Sequence, residues 1–190
     1  MINLNFDDRL NLLNLSNKVV VSSDEFIIEE KEKSGKSKLK CKVSDYTVAF
    51  LNADKYIFEY LKDRKCADAI ILQRNDKGLW KVKIIEFKKT INIRTLSKSL
   101  KQFKGAVSNV LAISGLLGIE SFENIEFYSA FREEKISNIK NENSVILKNV
   151  ENMRLIKQWE DGIVKFDFLN SNAVYGKIYL NDNGDGEILF

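Results

Sequence analysis

Between Cys66 and Gly118 the hydrophobic pattern changes period in an order that few folds accommodate. Cys66 to Leu72 is an almost continuous apolar run, read as a buried strand, and Asn75-Asp76-Lys77-Gly78 supplies hairpin-turn residues. Leu79 to Lys89 reads as the next strand. From about Thr95 to Leu117 the apolar residues Leu96, Leu100, Phe103, Val107, Val110 and Leu111 recur mostly at steps of three or four, with Ser114 continuing the row. That is the spacing of one helix face, and Gly118 is placed to end it. Ile125 to Phe131 supplies a further strand. Strand, strand, helix, strand predicts an α/β or α+β protein with a mixed central sheet flanked by helices.

The rest of the chain is read around this centre. Its 190 residues suit one domain, and no internal repeat or low-complexity linker divides them. Residues 1–21 are weakly amphipathic. Glu25 to Glu32 and Lys38 to Val43 suit a hairpin closed by Ser34-Gly35-Lys36. Asp45 to Asp63 stays open, because Tyr56, Phe58 and Tyr60 alternate like a strand while Ile57, Tyr60 and Leu61 fit a helix. A helix is expected around Val150 to Trp159, followed by C-terminal strands.

Composition removes whole classes of chemistry. There is no histidine, so no Ser-His or Cys-His triad, HExxH zinc site or histidine acid/base pair is available. Catalysis would have to use carboxylates, lysines, hydroxyls or a metal held by oxygen. The two cysteines, Cys41 and Cys66, cannot build a disulfide framework or a four-cysteine zinc site and read as core residues of an intracellular protein. Acids stand near the N-terminus where a signal peptide needs a basic start. The apolar run from Val107 to Ile119 is too short to span a bilayer, so a cytoplasmic protein with no membrane partner is expected.

Net charge is only +3, but it is unevenly spread. Lys81, Lys83, Lys88, Lys89, Arg94, Lys98, Lys101 and Lys104 fall in one segment whose only acid is Glu86. Such polarisation suits a polyanion partner, and an ordinary solvated helix face is the alternative. Lys36, Lys38, Lys40 and Lys42 are spaced by two, which puts them on one face of a strand. An edge strand protected by charge explains them better than a phosphate track.

Glu-x-Lys occurs three times, and only Glu86/Lys88 has a context suited to chemistry. Strand alternation sets Val82, Ile84, Glu86 and Lys88 on one face, so two charged groups emerge from an apolar wall. Pairing across the Asn75–Gly78 turn brings Asp68 toward them. Converging carboxylates repel unless a cation lies between, and a hard divalent ion such as Mg²⁺ suits oxygen donors. Lys88 could orient the water bound to such an ion or neutralise developing charge. On the following helix, Gln102 and Lys98 lie on nearly the same side, away from the apolar stripe.

Asp68, then Glu86-Phe87-Lys88 at a strand end, then a helix bearing Gln102, resembles the active-site layout of the PD-(D/E)xK nuclease superfamily. The matching region, about 66–113, covers roughly a quarter of the chain, within a motif region of about 66–131. The resemblance implies a restriction-endonuclease-like core, here with extra N- and C-terminal strands, and hydrolysis of phosphodiester bonds with Mg²⁺ or Mn²⁺. It implies that Asp68, Glu86 and the Phe87 carbonyl hold the metal, that Lys88 is the catalytic lysine, and that Gln102 assists. Lys89, Arg94, Lys98 and Lys101 would contact nucleic acid, DNA rather than RNA. The family often carries a further glutamate on a preceding helix, for which Glu59 is the candidate. Ala67 stands where the family usually has proline.

Two motif fragments are declined. Ser34-Gly35-Lys36-Ser37 lacks the first glycine of a phosphate-binding loop, because that position is Glu30, and a strand follows it. Asn181-x-Asn183-x-Asp185-Gly186 resembles the start of an EF-hand loop whose bidentate glutamate would fall beyond Phe190. The competing functional readings are a noncatalytic nucleic-acid- or protein-binding module on the same fold, and an unrelated interaction protein. Cutting both strands of a duplex would call for a homodimer, because one metal site cuts one strand at a time.

Overall fold

The apolar runs become strands of two packed sheets. The computed structural model describes residues 4–13, 19–32, 35–55, 65–137 and 149–190. In chain order these form α1 (Phe6–Leu12), β1 (Val19–Ser22), β2 (Glu25–Glu32), β3 (Gly35–Lys42), β4 (Tyr46–Leu51) and a 3-10 turn (Ala53–Lys55). There follow β5 (Ala69–Arg74), β6 (Trp80–Ile91), α2 (Ile93–Leu117), β7 (Asn124–Glu134), α3 (Val150–Asp161), β8 (Ile163–Val164), β9 (Ala173–Tyr179) and β10 (Asp185–Leu189).

The large sheet has the order β1-β4-β5-β6-β7-β9-β8. Its pairs are antiparallel from β1 to β6, parallel from β6 through β7 to β9, and antiparallel again at β8. The small sheet has the order β10-β3-β2 and joins one C-terminal strand to the predicted N-terminal hairpin. The expected mixed sheet with additional strands from both ends is therefore present. Its helices gather on one face, where Leu96, Phe103, Val110, Ile156 and Trp159 pack with Val82, Ile84 and Phe127. The small sheet covers the other face, where Phe26, Ile28, Leu39 and Cys41 meet Ile71, Ile85 and Phe87.

Several boundaries move for local reasons. The strand expected from Cys66 begins only at Ala69, leaving Cys66, Ala67 and Asp68 outside the ladder. β6 and β7 run longer than predicted because each pairs over most of the other's length. α2 begins two residues early, at a capping box in which Asn92 accepts from the Thr95 N–H and Thr95 accepts from the Asn92 N–H. Gly118 ends it in the left-handed conformation, as expected. In the open stretch, Tyr46–Leu51 is a strand, while residues 56–64 lie outside those described.

β3 is the middle strand of the small sheet rather than an edge. Its lysines do share a face, with Leu39 and Cys41 buried on the other, but both neighbouring strands contribute glutamates beside them. The tight loop after β9 forms where expected, with Asn181 accepting from the Asp185 N–H. The strands on either side of it enter different sheets.

Candidate metal and nucleic-acid site

The site forms where β5 begins, β6 passes and α2 crosses above. Ala69 pairs with Ile85, so Asp68 arrives level with Glu86 and Phe87 on the neighbouring strand. Its carboxylate Oδ2 accepts the Phe87 backbone N–H at 2.6 Å. Because Asp68 lies before the ladder, its side chain escapes strict strand alternation and turns to this amide.

Glu86 follows the expected alternation and points to the helix-bearing face with Val82 and Ile84. It is 1% exposed. Lys88 shares that face and donates to Glu86 Oε1, and also to the Phe87 carbonyl at 3.1 Å. Glu86 Oε2 is buried without a described hydrogen-bond partner. An orphaned carboxylate oxygen inside a protein costs free energy unless something positive meets it.

Burial sets the electrostatics. It pushes the Glu86 carboxyl up to about 7, with Lys88 and, more weakly, Gln102 acting in the opposite direction. Asp68 is also raised well above the ordinary carboxylate range, chiefly by burial and then by the charge on Glu86, while the Phe87 N–H works against the rise. Carboxylates held this way bind either protons or a cation.

Two further carboxylates meet Asp68. Oxygens of Glu30, Asp54 and Asp68 lie mutually within 4.8 Å, and Glu86 is not one of the three. Glu30 comes from β2 of the small sheet and also pairs with Lys55 at 3.7 Å. Asp54 comes from the 3-10 turn after β4, and burial raises its carboxyl too. Sequence reasoning did not select either residue. Their approach depends on how the two sheets pack and on the turn after β4, and no local spacing encodes either. Glu59, the accessory acid suggested by resemblance, lies outside the described residues.

Beside these acids an open cleft of about 590 Å³ is lined by Asp54, Lys65, Cys66, Lys88, Lys98, Lys101 and Gln102. Gly105 lets α2 approach this closely, since a Cβ there would stand 1.6 Å from the Lys65 carbonyl oxygen. The Gln102 amide lies 3.5 Å from the Cys66 carbonyl, a long contact. Burial pushes the Cys66 thiol up to about 12, which leaves it inert as a nucleophile.

The predicted basic residues divide. Lys88, Lys98 and Lys101 line the cleft together, and exposed Arg94 lies one turn earlier on α2. Lys89 does not line the cleft and borders a small pocket of about 20 Å³ with Glu30, Phe87 and Arg132, which Lys88 also reaches. Lys81 and Lys83 take no part. Lys81 pairs with Glu123, and buried Lys83 bonds to Gln73 beneath the Phe190 ring. The charge-rich segment is thus not one continuous surface.

Comparison with protein-family models, curated proteins and solved structures yields no match for this chain. Among the described residues, no helix is long and apolar enough to cross a membrane.

Proposed function

We propose that this protein is a Mg²⁺- or Mn²⁺-dependent nuclease that hydrolyses phosphodiester bonds. The observation that carries the reading is the placement of Asp68 level with Glu86 on the neighbouring strand, its bond to the Phe87 N–H, and Lys88 joining Glu86 to a basic cleft. Antiparallel β4-β5-β6, then α2, then β7 parallel to β6, is also an arrangement compatible with the PD-(D/E)xK resemblance. That resemblance is what favours DNA over RNA.

The residues fit a hard divalent cation. The available donors are carboxylate and carbonyl oxygens, and among the described residues nothing stands within hydrogen-bonding geometry of the buried Glu86 Oε2. Asp68, Glu86 and the Phe87 carbonyl would hold the ion, with Asp54 and Glu30 close enough to Asp68 to contribute. A bound ion would supply an acidified water and stabilise charge on phosphorus. Lys88 stands where it can orient a water or neutralise a phosphate oxygen. Gln102, Lys98 and Lys101 line the approach and would align the backbone.

A noncatalytic binding module on the same fold is the second reading. The bond from Lys88 to Glu86 favours it, since that pair already compensates one carboxylate oxygen. Incubating the purified protein with single- and double-stranded DNA and RNA, with Mg²⁺ or Mn²⁺ and then with chelator, separates the two. Chelator-sensitive cleavage is expected; salt-sensitive binding without cleavage would establish the binding module instead.

A further inference from the structure

A second pocket opens farther along α2, on the side facing α3. It measures about 180 Å³ and is bordered by Lys104 of α2, Arg154 of α3, and Lys165 with Phe166 and Phe168 from the segment after β8. This is below the roughly 300–1,000 Å³ of drug-sized ligand sites, and closer to the scale of one ring system. Lys104, Arg154 and Lys165 are exposed and form no ion pair with any described residue. Glu151 and Asp167 also border the pocket, so its net charge is only slightly positive and charge alone would not hold a ligand there.

The aromatic residues supply what charge lacks. Phe103 and Phe127 are buried with ring centroids 5.1 Å apart, and Phe127 meets Phe166 edge-on at 5.1 Å. Phe166 then stacks on Phe168 at 5.0 Å, with ring planes 22° apart. This file of rings runs from the core to the surface, and its outermost member is 42% exposed. A planar ring already aligned by a stacked neighbour can accept another flat π system at little ordering cost.

The two openings border the same helix. Leu100 borders the second pocket, while Lys101 and Gln102 border the cleft. Lys98 and Lys104 are separated by about 9 Å along the axis and by about 120° around it, so a strand running between them also turns about the helix. About two or three nucleotides cover the axial part of that path, at roughly 3.4 Å or more each.

We propose that this pocket binds an unpaired base of the strand that enters the cleft, stacked on Phe168, with Lys104, Arg154 and Lys165 beside its phosphates. The proposal rests on the nucleic-acid side of the nuclease reading and adds a preference for single-stranded nucleic acid. Bases in a duplex are already stacked on one another and cannot occupy the Phe168 ring without melting.

The test is fluorescence anisotropy on the full chain in chelator, using a labelled oligothymidylate and a duplex carrying the same run. Phe168→Ala should weaken single-strand binding about 5- to 100-fold and change duplex binding by less than about twofold. Phe168→Trp should retain single-strand affinity. Phe168→Leu, which keeps apolar bulk against Phe166, should lose it like the alanine variant. Wild-type single-strand affinity in Phe168→Ala would overturn the proposal, as would equal losses on both probes. If binding is then abolished in the combined Arg94→Ala, Lys98→Ala, Lys101→Ala variant, the nuclease reading stands without the stacking site. Absence of nucleic-acid binding by the wild-type protein would overturn both.

Discussion

On β3, Lys36 and Lys38 lie 2.9 and 3.6 Å from Glu29, Lys40 lies 2.7 Å from Glu25, and Lys42 lies 2.5 Å from Glu187. On α2, exposed Arg94, Lys98 and Lys101 form no ion pair with any described residue. Both rows looked basic in sequence, and only one presents uncompensated charge. The carboxylates differ in the same way. Glu29 and Glu187 are solvated, and hydrogen bonds from Lys36 and Lys42 hold them below the ordinary range. Asp54, Asp68 and Glu86 are pushed above it by burial. The small sheet has neutralised its charges internally, whereas the cleft combines buried acids short of cations with surface cations short of acids. That imbalance is what a metal ion and a phosphate backbone would correct.

The sharpest way to break this contrast is to remove one lysine from each setting. Lys88→Ala should lower the cleavage rate by about 10²- to 10⁴-fold while weakening substrate binding only modestly. Lys89→Ala, on the opposite strand face, and Lys40→Ala should leave the cleavage step nearly intact. Single-turnover rates at saturating protein measure this directly. Equal losses in Lys88→Ala and Lys89→Ala would reduce the effect to general electrostatics.

The buried acids make a second prediction, on stability against pH. Glu86 holds its proton more tightly when folded, with its pKa raised from 4.5 to about 7. Between those values the unfolded chain has released the proton and the folded chain has not. Stability should therefore fall as pH rises through this window and level off above it, by about 3 kcal/mol for Glu86 alone. The upward shifts at Asp68 and Asp54 act in the same direction. Denaturant titrations in chelator should show the decline, and Glu86→Gln should flatten it. Mg²⁺ should restore stability at the high-pH end, where the ionised carboxylate can bind it.

A third measurement compares salt dependence. The combined Arg94→Ala, Lys98→Ala, Lys101→Ala variant should flatten log affinity against log salt by about 0.7–0.9 for each phosphate no longer neutralised. The combined Lys36→Ala, Lys38→Ala, Lys40→Ala variant should leave the slope unchanged, because its charges are already balanced within the small sheet. Equal slopes in both variants would remove the distinction between the rows.

The smallest effect concerns the paired row by itself. Exposed ion pairs contribute little, so Lys40→Ala should move Tm by no more than about 2 °C. A larger drop would mean that the small sheet depends on its cross-strand charges for assembly.

Sequence by itself determined the elements whose cause is local. Apolar runs and the turn residues between them specified the β5–β6 hairpin. A stripe of apolar residues specified α2, and Gly118 specified its end. Strand alternation put Glu86 and Lys88 on one face, because successive side chains must point to opposite sides. The absence of histidine confined the chemistry to oxygen donors and lysine. Only the tertiary structure decided which charges remain uncompensated. Glu25 and Glu187 meet the β3 lysines because three strands distant in sequence share a sheet. Glu30 and Asp54 meet Asp68 because β2 packs beneath β5 and β6, and because the chain turns after β4. Phe168 completes a row of rings begun in the core, a relation no spacing within its own segment records. Strand and helix periods act over a few residues and are written in the chain. Charge pairing and burial depend on which distant segments are brought into contact, and packing alone fixes that.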